Sequence, residues 1–131
     1  MSKKTAKLLV VETHGQLRAV MVNILQVWGY EVETAENGDE GLRKVREMRP
    51  TLIFCELYNH GPGCLEFLKA VKAEFPGIKF VLTGTELTCE RGQELGASFC
   101  VRSPMTPVDL QAALEHCLGH SLPDTAPLSP T

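Results

Sequence analysis

Short blocks of consecutive apolar residues alternate along the chain with longer segments whose apolar positions recur every three or four residues. Leu8–Val11 is the first block; it is rich in branched residues and reads as a buried strand. Leu17, Val20, Met21, Ile24 and Trp28 follow at helical spacing, and Gly29 closes that helix. Tyr30–Thr34 alternates as a second strand. Leu42, Val45 and Met48 mark a second helix, which Pro50 stops. Leu52–Cys55 is a third strand, and Leu65, Leu68, Val71 and Phe75 mark a third helix closed by Pro76 and Gly77. Ile78–Leu82 is a fourth strand. Glu86–Leu95 predicts a short helix, weakened by Thr88, Cys89 and Gly92 and ended by Gly96. Phe99–Val101 is a brief fifth strand, and Leu110, Leu114 and Cys117 mark a last helix.

Capping residues stand where these helices should begin. Thr13 with Gln16, and Asn37 with Glu40, have capping-box spacing, and Thr106 precedes a first-turn proline, Pro107. Five strand–helix units in strict alternation predict an α/β fold with a mostly parallel sheet and helices on both faces. Right-handed crossovers make that a three-layer α/β/α sandwich. Periodicity ends after Leu118, so residues 1–118 read as one domain and the proline-containing residues 119–131 as a disordered tail or linker stub.

Composition adds bounds. With 131 residues, 44% of them hydrophobic, the chain is sized for one domain with one real core. A net charge of −3 argues against general nucleic-acid or anionic-membrane binding, which need a basic face. The polar start Met1–Thr5 precedes only a strand-sized apolar run, so neither a signal peptide nor a spanning helix is expected, and a cytoplasmic location follows. Cys55, Cys64, Cys89, Cys100 and Cys117 show no paired spacing and read as reduced thiols, with Cys55 and Cys100 as core filler.

Leu8–Thr13, Gly29–Val32, Ala35–Gly38, Pro50–Glu56, Thr83-Gly84, Gly96-Ala97 and Ser103-Pro104, in this order and spacing, resemble the response-regulator receiver family of bacterial two-component signalling. The resemblance covers Lys7 to Leu118. It implies a flavodoxin-like (βα)5 sheet of order 2-1-3-4-5, with the site beyond the C-terminal ends of strands one and three. In the family an aspartate on strand three accepts a phosphoryl group. Acids after strand one help hold Mg²⁺, a Thr or Ser and a Lys bind the phosphoryl oxygens, and an aromatic on strand five reports the state. Protein partners, a sensor kinase or an output protein, meet helix four, strand five and helix five.

This sequence departs from that pattern. The acceptor position is Glu56, the acid pair is Glu12 and Thr13, the lysine position is Ser103, and the aromatic position falls on Cys100 with Phe99 beside it. Thr83 alone matches fully. The resemblance therefore implies a receiver that acts by protein–protein contact with weak or no phosphorylation. No cofactor is required; Glu12 and Glu56 would hold Mg²⁺ weakly at best. Glu56 reads either as a mimic of the phosphorylated acceptor or as a drifted acid. Thr83 reads either as a phosphoryl ligand or as a cap with Glu86, and Thr13 as a cap more than a ligand. Two further readings stand beside this one: an unusual but competent phosphoacceptor, and a small metal or redox sensor using His14, His60 and Cys64 with the two glutamates. No nucleophile–base motif or Gly-rich phosphate loop points to an enzyme. Whether the domain forms a homodimer is left open.

Overall fold

The computed structural model describes residues 6–56, 63–84, 89–102 and 105–119, the side chains of Gly63, Cys64 and Cys89 excepted. Five strand–helix units follow in order: β1 Lys7–Val11, α1 Gly15–Val27, β2 Glu31–Ala35, α2 Gly38–Met48, β3 Leu52–Glu56, α3 Gly63–Glu74, β4 Lys79–Gly84, α4 Cys89–Glu94, β5 Phe99–Arg102 and α5 Pro107–Leu118. All strand pairs are parallel, in the order β2-β1-β3-β4-β5.

Burial explains why each strand read as it did. β3 is buried throughout, and β1 and β4 are buried at every position after the first. Strands covered by helices on both faces need continuous apolar runs. The edge strand β2 alternates between exposed and partly buried residues. Strand phase divides the core in two. Leu8, Val10, Leu52, Phe54 and Val81 face Met21 and Leu25 of α1, its C-cap Trp28, and Leu110, Ala113 and Leu114 of α5. Leu9, Val11, Ile53, Cys55, Phe80 and Leu82 face Val45 of α2 and Phe67, Leu68 and Val71 of α3. Burial holds the Tyr30 phenol in its neutral form, pushing its pKa up to about 12.

The caps divide into confirmed and corrected. Thr106 forms a complete capping box with Asp109 at the start of α5. Its loss in Thr106→Ala is expected to cost about 1 kcal/mol in urea denaturation. Asn37 accepts from the Glu40 amide, but the Glu40 carboxylate takes the amide of Glu36, not that of Asn37. Thr13 does not cap α1. His14 is the N-cap residue, without a side-chain cap bond, and the Thr13 hydroxyl donates to the Glu36 carbonyl at 3.2 Å. Of the expected helix Glu86–Leu95, the described part is Cys89–Glu94. The segment 85–88, the Ser103-Pro104 pair and the expected tail beyond Gly119 lie outside the described residues.

Candidate functional site

In a sheet of order 2-1-3-4-5 the connections leave in opposite directions from β1 and β3, opening a crevice at their C-terminal ends. Val11 of β1 and Cys55 of β3 are the last registered pair there, so the next residues, Glu12 and Glu56, stand side by side. Parallel neighbours lie about 4.8 Å apart. On the other side of β3, Glu56 registers with Thr83 of β4. Glu12, Glu56 and Thr83 are the buried polar residues among those described, exposed by 3%, 8% and 5%.

Buried carboxylates need donors, and the chain supplies them. The Thr83 hydroxyl donates to Glu56 Oε1 at 2.8 Å. The His14 amide donates to Glu12 Oε2 at 3.1 Å, so Glu12 serves the N-terminus of α1 that Thr13 leaves uncapped. Arg18, the one charged residue of α1, donates to the Glu12 carbonyl at 2.7 Å and lies 3.7 Å from the Glu36 carboxylate. With the Thr13–Glu36 bond and the Glu12 amide on the Ala35 carbonyl, it ties the β1–α1 loop to the β2–α2 loop. Sequence reasoning missed Arg18. Its isolation among the uncharged residues of the helix was the available signal.

Thr13 is exposed and its hydroxyl is committed to Glu36, so it adds nothing to the buried acids. Among the described residues no three His, Cys, Asp or Glu gather to hold a metal; His60 and the Cys64 side chain lie outside them. Ser103 also lies outside them. At the aromatic position the two neighbours point to opposite faces: the Phe99 ring meets His116 of α5 at a tilt, centroids 5.3 Å apart, whereas Cys100 turns toward α4, into the core shared with α2 and α3.

The Thr83–Glu56 bond has a measurable consequence. Thr83→Val keeps the shape and removes the only donor this position offers Glu56. Losing a hydrogen bond to a charged group costs roughly 1.5–3 kcal/mol. That loss should appear in urea denaturation at neutral pH and should shrink in Thr83→Val/Glu56→Gln, whose amide can pair elsewhere.

The arrangement is a doubly wound α/β sheet with an acid-lined crevice at its topological switch point. The chain belongs to the response regulator receiver domain family, whose model matches residues 8–115, and is a receiver domain of two-component signalling. Among its relatives is the probable transcriptional regulator ycf27 of Pyropia yezoensis, 32% identical over 123 residues, 90% of this chain and 49% of that protein. Another is the phosphate regulon transcriptional regulatory protein PhoB of Escherichia coli, 27% identical over 114 residues, 83% of this chain and 50% of that protein. This chain thus spans about half the length of these relatives. The chemotaxis protein CheY4 of Vibrio cholerae superposes with a TM-score of 0.79 at 29% identity, over 87% of this chain and 99% of that one.

Proposed function

We propose that this receiver signals through protein–protein contact with little or no phosphoryl transfer. The observation that supports the reading is the bond from Thr83 to Glu56. In the family, the residue at the Thr83 position binds the incoming phosphoryl group. Here the longer side chain of Glu56 brings its own carboxylate to that hydroxyl. The acceptor and its ligand are already joined, and both are buried. The changes at Thr13 and Ser103 act in the same direction. One removes a Mg²⁺ ligand, and the other removes the cation that would offset the charge of the transferred group. A single carboxylate carries less charge than a phosphoryl group, so Glu56 imitates the modified acceptor only in part.

The domain would then pass its state to a protein partner, a kinase or an output unit, in the cytoplasm. Several relatives are transcriptional regulators by name, which makes a DNA-directed output a natural companion for this domain. The partner surface would be α4, β5 and α5, where the exposed Val108 lies at the start of α5. The test is an amide NMR titration with Mg²⁺. The resonances of Glu12, Glu56 and Thr83 should stay in place up to millimolar metal. Saturable shifts at all three would overturn the reading and favour a competent phosphoacceptor.

A further inference from the structure

A cavity of about 380 Å³ opens between α2 and α3, lined by Asp39 and Leu42 of the first helix and Glu66, Phe67 and Ala70 of the second. That volume falls in the range of pockets that take small molecules, roughly 300–1,000 Å³. Its apolar side is fixed by packing. Phe67 is buried and meets Phe80 edge-on, and Gly41 leaves room for its ring, since a Cβ on Gly41 would lie 3.0 Å from Phe67 Cε1. Leu42 and Ala70 are half-buried. The polar side is acidic. Asp39 and Glu66 are exposed, no basic residue lines the cavity, and neither carboxylate is paired with a described residue.

Both acids stand in the first turn of a helix, where negative charge favours the N-terminus. That accounts for Glu66 taken alone. Asp39 is surplus to that need, because Glu40 stands in the same turn and its carboxylate takes the Glu36 amide. Nor does the helix dipole require acids of two different helices to line one cavity with an apolar side.

We propose that this cavity binds a small organic cation, an ammonium or guanidinium group on a short apolar body. The body lies against Leu42, Phe67 and Ala70, and the charged head meets Asp39 and Glu66. A neutral ligand of the same shape gains the apolar contact but nothing from the carboxylates, and an anion is repelled by both. Asn37 and Gly38 also line the cavity. They follow Glu36, whose carbonyl accepts from the Thr13 hydroxyl and whose carboxylate lies near Arg18. The cation site thus adjoins the loop that is tied to the acid crevice. It gives this receiver an input that does not pass through Glu56, and it stands whether or not Glu56 accepts a phosphoryl group.

The experiment is an amide NMR titration of the unmodified chain with phenethylammonium. The expected result is saturable shifts at Gly38, Asp39, Leu42, Phe67 and Ala70, with an affinity that falls as salt is added. Phenylethanol, with a hydroxyl in place of the ammonium, and ethylammonium, without the ring, should each bind several-fold more weakly. The double variant Asp39→Asn, Glu66→Gln should reduce the affinity for phenethylammonium to that for the alcohol. Ala70→Leu, which fills the cavity and keeps both acids, should abolish binding. Absent or non-saturating shifts, equal affinity for the alcohol, the same shifts with ethylammonium or Mg²⁺, or binding that survives Ala70→Leu would each overturn the proposal. Tighter binding of a capped lysine-containing tripeptide would move the site to a side chain of a protein partner and overturn its assignment to a free small molecule. The ligand comparisons are read on the unmodified chain, so the outcome does not depend on the folding of any variant.

Discussion

The triple variant Thr13→Asp, Glu56→Asp, Ser103→Lys is expected to accept a phosphoryl group from a small acyl phosphate in a Mg²⁺-dependent reaction, while each single variant gains little. The three changes restore different requirements of one transfer. Glu56→Asp withdraws the carboxylate from Thr83 Oγ1, which it now meets at 2.8 Å, and leaves that hydroxyl for an incoming phosphoryl oxygen. Thr13→Asp replaces an exposed hydroxyl, tied to the Glu36 carbonyl, with a second acid beside Glu12. Ser103→Lys restores a cation for the developing charge. A near-attack geometry displaced by about 1 Å can cost on the order of 100-fold in rate. Groups that work as a unit are grossly non-additive, so the triple variant should exceed the best single variant by at least roughly 100-fold in initial rate. Quantitative mass spectrometry of the intact protein over time measures this. A single variant that labels as fast as the triple would show that one defect alone limits the pocket.

Phe80→Ala is expected to be the most damaging of the single core truncations. Phe80 lies in β4 with no exposed surface, and its ring meets Phe67 of α3 edge-on at 5.8 Å. Removing a buried phenyl ring costs about 3–5 kcal/mol through lost transfer energy and the cavity left behind. The Phe67 pairing adds to that loss. Against a total of roughly 5–15 kcal/mol for a domain, such a loss approaches the whole stability. Urea denaturation should show a much lower midpoint with the slope preserved. A loss below about 1 kcal/mol would mean that α3 collapses onto the vacated space, contrary to the close packing of interiors.

The fold was legible because its signals are local. Leu8–Val11 and Leu52–Cys55 are unbroken apolar runs because both faces of those strands are covered. Thr106-Pro107 announced α5 because a cap and its partner lie within one turn. The cap at Thr13 failed although its spacing was right. The neighbouring Glu12 carboxylate reaches the His14 amide first, and the Thr13 hydroxyl finds a carbonyl on the next loop. The site was legible in outline, since the ordered markers put Glu12, Glu56 and Thr83 at one end of the sheet. Its wiring was not. The Thr83–Glu56 bond depends on the register of β3 with β4, and the reach of Arg18 to Glu36 depends on two loops lying side by side. Neither has a signature in spacing along the chain. The contact of Cys100 with Gly92 is of the same kind. The glycine read only as a weakness in the helix, until the sulphur beneath it gave a reason for the missing side chain.

What the native pocket does with a phosphoryl donor is tested most directly by intact-mass measurement of the unmodified protein. After incubation with an excess of a small acyl phosphate and millimolar Mg²⁺, the mass should be unchanged, with at most a trace of adduct that is the same without Mg²⁺. The triple variant, treated alongside, supplies the positive control. A stoichiometric, Mg²⁺-dependent phosphoryl adduct that maps to Glu56 would contradict the account and identify the chain as a working phosphoacceptor.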